Sequence, residues 1–191
     1  MAEPLEDAVE SEDKKVALLI AILALFLALA EAGAKNAEHR ATELNIESSD
    51  LYNFYQAKKV RSSIAETAAE SLEAQRGAAS DPQVQAAIDK QIADWKATVA
   101  KFEKDPKKPE DSLEAIQERA MAASEGRERS NRKLEHFEYA SGALQIAIVL
   151  ASAAIITGMS ILAWFAVGLG AIGAVLMAFG YLAPTVLSFL G

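Results

Sequence analysis

Residues 139–191 contain no Asp, Glu, Lys or Arg, although 24% of the 191-residue chain is charged. A helix needs about 20 apolar residues to cross a hydrocarbon core about 30 Å thick. This tail of 53 residues has room for two such helices and a tight turn. A third apolar stretch covers residues 16–30. The pattern predicts an integral membrane protein with the lipid bilayer as its first partner.

The polar residues define the remaining classes. The net charge of −8 divides equally between residues 1–15 and residues 31–138. An acidic balance disfavours nucleic acid, whose binding rests on phosphate neutralisation. With no cysteine, disulfides, thiolate metal sites and cysteine nucleophiles are excluded. Lys14, Lys15, the apolar core behind them and Ala32-Gly33-Ala34 have the outline of a signal peptide. The six acids ahead of those lysines do not fit it, so the stretch reads as an uncleaved transmembrane helix.

The chain divides by pattern. Residues 1–13 are acidic and aperiodic and read as a disordered tail. Residues 14–34 form the first transmembrane helix, and no proline interrupts the chain from there to Arg76. Residues 35–138 form a helical polar domain. Gly77-Ala78-Ala79-Ser80 ends its first helix, and Asp81-Pro82 restarts the chain as an N-cap followed by proline. On the second helix Ile88, Ile92, Trp95, Val99 and Phe102 recur at spacings of four and three, one stripe of a coiled-coil seam. Pro106 and Pro109 break it. Asp111 and Glu114 then stand in capping-box positions before a third helix. Its seam is Leu113, Ile116, Ala120, Ala123, Arg127, Ser130, Leu134 and Phe137, and continues as Ser141, Leu144, Ile148, Ala151, Ile155 and Gly158. One helix can therefore run from the polar domain into the membrane. Residues 139–157 and 161–182 are the second and third spans, separated by Thr157-Gly158-Met159-Ser160, and residues 183–191 form an apolar end. The fold class is an all-α membrane protein, three transmembrane helices with a helical, coiled-coil-like polar domain between the first and second. Lys and Arg near the membrane ends are more numerous on the polar-domain side, which places that domain in the cytoplasm.

Each span carries a face of small residues: Ala17, Ala21, Ala24 and Ala28; Ala147, Ala151, Ala154 and Gly158; and Ala166, Gly170, Gly173 and Gly180, with Met177 between the last two. Apolar burial cannot drive association within lipid, so close backbone approach supplies much of the contact energy. Such faces pack the spans of one protomer or pack protomers together; three faces on three helices favour a homo-oligomer. Gln145 is the strongest polar group inside a span; its amide bonds a neighbouring helix, lines a pore or snorkels from a lipid-facing side. No ionisable side chain lies inside a span, which speaks against a transporter or proton pump. Gly168–Gly173 matches G-x-G-x-x-G, but mid-span and with no strand before it this is helix packing. His39 and His136, beside Glu38, Glu135 and Glu138, are the sole histidines; at similar depth they offer a metal or proton site, against which stands the reading of isolated interfacial histidines. No cofactor, metal or catalytic residue is expected.

The most distinctive polar segment runs from Asp50 to Arg61, with Tyr52, Phe54 and Tyr55 within four positions. Some of its aromatics are expected to pack on the Ile88 to Phe102 seam, leaving Lys58, Lys59 and Arg61 in solvent; the alternative is a contact with a partner or a lipid headgroup. With Tyr55, Gln56, Ala57 and Lys58 as its core, this segment and the layout around it resemble a bacterial family known only as a domain of unknown function (number four-three-three-seven). The resemblance covers most of the chain. It implies helical architecture and the bacterial inner membrane, and brings no activity, ligand or catalytic residues. The function expected is a homo-oligomeric scaffold or interaction protein. The alternatives are a pore-like oligomer and an accessory subunit of a larger membrane complex.

Overall fold

A computed structural model describes the backbone of residues 3–182 and the side chains from Lys14 onward. The described chain is all helical: α1 (Glu3–Arg76), α2 (Pro82–Glu103), a 3-10 turn (Pro109–Asp111), α3 (Leu113–Thr157) and α4 (Ser160–Leu182). By length and composition α1, α3 and α4 are each able to cross a membrane. Residues 3–13, expected as a disordered tail, are the opening turns of α1. Proline is tolerated in a first turn, where its missing N–H is no loss, and turns added to an existing helix avoid the cost of nucleation. The expected apolar end, residues 183–191, lies outside the described residues.

The chain forms two compact units, one of residues up to Thr42 and from Arg127 onward, the other of Glu43–Gly126. The second unit is shorter than the polar domain expected at 35–138, because helical residues at either end of that range pack with the apolar helices.

In the Glu43–Gly126 unit, α1 turns one seam inward. Leu44, Ser48, Leu51, Ser62, Ala65 and Ala69 are buried, with Tyr55 and Lys58 half-buried between them, at alternating spacings of four and three. Leu51 meets Ile116 and Ala120 of α3, with Tyr55 packed beside them, and Ser48 Oγ donates to the Ala120 carbonyl at 3.3 Å. On α2 only Ile92 is fully buried; Ile88, Trp95, Val99 and Phe102 are half-buried on the same face. Asp81 caps α2 by accepting from Gln83 N at 2.8 Å. Arg76 donates to Asp89 through Nε and through Nη2 (2.9 Å for the latter), and Lys96 pairs with Glu73 at 2.6 Å, tying α1 to α2. The hydrogen bond from Arg76 lowers the Asp89 pKa. That contribution is present at neutral pH and is lost as pH falls through the lowered value; both groups are half-exposed, so it is small.

Two expectations change here. The cap of α3 is Ser112, whose hydroxyl accepts from Ala115 N at 3.3 Å, rather than Asp111, which closes the preceding 3-10 turn. Ser112 has the extended backbone that an N-cap needs. Lys58 does not face solvent. Its ammonium donates to the Asp111 carbonyl and sits 5.8 Å and 5.9 Å from the ring centres of Phe54 and Phe102. A helix-start carbonyl and two ring faces together offset its dehydration.

In the other unit, Leu23 and Ala30 of α1 and Ala140, Leu144 and Ala147 of α3 form the core. Leu169, Leu176 and Met177 of α4 close over it. The turn between α3 and α4 falls at Gly158, whose φ of +69° is the left-handed value that favours glycine. Its N–H donates to the Ala154 carbonyl at 2.9 Å, the single bond of an αL helix end. A Cβ there would meet nothing within 4 Å, so the cost of a side chain is conformational alone. Gly158→Ala is expected to lose about 1–2 kcal/mol, read as a lower thermal midpoint by circular dichroism in detergent; an unchanged midpoint would contradict the left-handed turn.

Candidate functional site

The three small-residue faces have different fates. Ala166, Gly170, Gly173 and Gly180 of α4 are all buried, as are Ala147, Ala151 and Ala154 of α3. Gly170 lies against Leu23 of α1, and Gly173 against Leu144 and the Ala140 carbonyl of α3. These two faces therefore pack the protomer itself. Gly158 is in the exposed turn. The α1 face is different: Ala17, Ala21, Ala24 and Ala28 are all exposed. The inward side of α1 is set by Leu23, Ala30, Gly33 and Ala37, so this alanine face is left open by the protomer.

Gln145 is also exposed, so its amide is not buried against another helix of the protomer. It lies one position beyond Leu144, which takes the inward place. The nearby hydroxyls are satisfied on their own helix. Ser152 Oγ donates to the Ile148 carbonyl at 2.8 Å, and Thr157 Oγ1 to the Ala153 carbonyl at 2.7 Å. His136 is buried and His39 exposed, and among the described residues no group of three or more His, Asp or Glu could hold a metal ion. The glycine-rich run of α4 lies within one continuous helix, as helix packing requires.

A feature absent from the sequence reading is built around Phe137. Its ring is 2% exposed and fills a notch made by glycines on the two other helices. A Cβ on Gly33 would come 2.7 Å from Phe137 Cε1, and one on Gly180 3.0 Å from the same atom. Tyr181 meets the ring edge-on at 4.8 Å between centres, a favoured aromatic geometry. Beside this joint opens a cavity of about 230 Å³. Gly33, Phe137, Gly180 and Tyr181 line its apolar part, and Asn36, Arg40, Ser130 and Lys133 its polar part. Helical spacing assembles it: positions 33, 36, 37 and 40 share one face of α1, and positions 130, 133 and 137 share one face of α3. Phe137 and Gly180 read in the sequence as packing positions of their own helices, but no single-helix pattern shows that Gly33, Phe137, Gly180 and Tyr181 meet.

The Glu43–Gly126 unit has a more open groove of about 660 Å³. Glu43, Glu47 and Asp50 give it an acidic wall opposite Arg119, and Ile46 and Phe54 stand exposed in it. It adjoins a second stripe of α1, apolar at Ile46, Ala57, Val60 and Ile64 and polar at Asp50 and Asn53. Ile46, Asp50, Asn53, Ala57, Val60 and Ile64 follow spacings of four and three, and all are exposed. This stripe is offset two residues from the buried seam, about 200° around a helix of 3.6 residues per turn. Within this unit α1 thus has two sides in heptad register, one covered and one open.

No curated protein and no solved structure matches the chain. The family model described as Domain of unknown function (DUF4337) matches residues 12–183, spanning α1 from its third turn to the end of α4, and the chain belongs to that family.

Proposed function

We propose that the protein is a homo-oligomeric membrane scaffold, with α1, α3 and α4 crossing the bacterial inner membrane and the Glu43–Gly126 unit presented in the cytoplasm. The reading is assembly rather than catalysis. The observation that carries it is the open side of α1: Ile46, Val60 and Ile64 are exposed by 56%, 58% and 61% in a 4–3 register. Two helices that each offer such a seam supercoil about one another, and a polar residue such as Asn53 within it fixes register and partner number. The seams expected to bundle helices, Ile88 to Phe102 and Leu113 to Phe137, are covered or half-covered inside the protomer. The open alanine face of α1, Ala17 to Ala28, continues the same proposal into the bilayer, where small residues permit close helix approach.

The wild-type protein, solubilised in detergent, is expected to give one defined homo-oligomer by native mass spectrometry. Val60→Glu together with Ile64→Glu should shift it to monomer by about tenfold or more while leaving its helical circular dichroism unchanged. A monomeric wild type, or a fixed-ratio complex with an unrelated protein, would overturn the proposal, the latter in favour of an accessory subunit. The exposed amide of Gln145 supports a second reading, an oligomer that encloses a narrow pore. Single-channel current in planar bilayers, altered by Gln145→Leu, is the result that reading requires.

A further inference from the structure

We infer that the cavity beside Phe137 binds the phosphate-bearing headgroup of an anionic phospholipid. The inference rests on the membrane reading proposed above. Its polar wall holds Lys133 with the Asn36 amide and the Ser130 hydroxyl, and Arg40, which already has a partner in the protomer, stands at its edge; no carboxylate lines it. Lys133 is half-buried and has no carboxylate partner among the described residues. An ammonium partly withdrawn from water without a counter-charge is a standing attraction for an anion. Arg adds a planar fork of donors that matches phosphate oxygens, while Lys acts as a point charge.

Depth selects a lipid over a soluble anion. On α1 the charged residues resume at Glu31 and Lys35, on either side of Gly33. On α3 the last charged residue is Glu138, beside Phe137. Gly33 and Gly180 both lie against Phe137, so the cavity lies where the apolar parts of α1 and α3 end, beside the last turn of α4. That is the level of the headgroups in a bilayer. Its apolar wall of Gly33, Phe137 and Gly180 suits a glycerol backbone and first acyl carbons, and Tyr181 is of the type enriched at such boundaries.

The test uses the full-length protein reconstituted in vesicles of phosphatidylcholine with or without phosphatidylglycerol, then extracted for native mass spectrometry. Retention of phosphatidylglycerol over phosphatidylcholine by the wild type is the expected result. Arg40→Gln and Lys133→Gln should each weaken that retention about fivefold, the equivalent of about 1 kcal/mol per cation at an anionic surface. Lys101→Gln, on exposed α2, should leave it unchanged. Equal retention of the two lipids, equal loss in all three variants, or displacement by millimolar inorganic phosphate in place of lipid would overturn the inference. An alkaline wash separates the two levels of failure. A protein stripped from the vesicles sinks the membrane reading and this site with it; a protein that stays inserted without lipid preference sinks the site alone.

Discussion

Gly173→Leu is expected to destroy the packing of α4 on α3, whereas Gly168→Leu, five residues earlier on the same helix, should be nearly neutral. A Cβ at position 173 would lie 2.8 Å from Leu144 Cγ and 3.2 Å from the Ala140 carbonyl oxygen. The first belongs to a fully buried side chain in the core with Leu23 and Ala147, and the second is backbone of α3. Neither yields without moving a helix. Overpacking a tight core costs about 1–3 kcal/mol for a few methylenes, and a leucine adds a whole side chain, so the loss belongs at the top of that range or beyond. Position 168 is exposed with nothing within 4 Å of a built Cβ. Thermal unfolding in detergent should show a large fall for the first variant, a smaller one for Gly173→Ala, and little for Gly168→Leu. Equal falls at 168 and 173 would refute the assignment of this face to the interior of the protomer.

The contrast between those two glycines also shows what the chain reveals before it folds. The face Ala166, Gly170, Gly173 and Gly180 was readable because its period is unbroken, and all four are buried. The α3 seam was readable for a similar reason, with Leu113, Ile116, Phe137 and Leu144 at its strongest points, all buried. What one helix cannot disclose is its partner. The three small faces look alike in sequence, yet two are covered and that of α1 is open. The inward seam of α1 is hidden in the sequence because Ser48, Ser62, Ala65, Ala69 and Lys58 occupy much of it, while Ile46, Val60 and Ile64 lie outside. Hydropathy points to the wrong side of that helix, since small residues permit close packing with little apolar signal. Lys58 is misread for the same cause: its partners, Phe54, Phe102 and the Asp111 carbonyl, come from three segments. The Phe137 joint likewise needs Gly33, Gly180 and Tyr181 from two other helices.

The two sides of α1 can be separated by measurement, and the second large effect does so. Ile116→Ala is expected to lose about 2–5 kcal/mol, the range for truncating a buried isoleucine or leucine. Ile116 is 0% exposed and is among the largest fully buried side chains, and its neighbours Leu51, Ala120 and Tyr55 come from two long helices that cannot collapse easily around a void. The unit is rich in charged residues and, on the membrane reading, is bathed in water, so the full apolar transfer term applies there. Leu51→Ala, facing Ile116 from α1, should fall in the same range. Ile64→Ala, 13 residues further along α1, removes a side chain that is 61% exposed and should barely change monomer stability. Its effect should appear in the oligomer population instead, so that Leu51 and Ile64 report on folding and assembly respectively. Urea unfolding of detergent-solubilised protein, paired with native mass spectrometry, reads both quantities on the same samples. A stability loss at Ile64 as large as that at Leu51 would mean that the outward stripe is already covered within the protomer, and the case for assembly through α1 would fall with it.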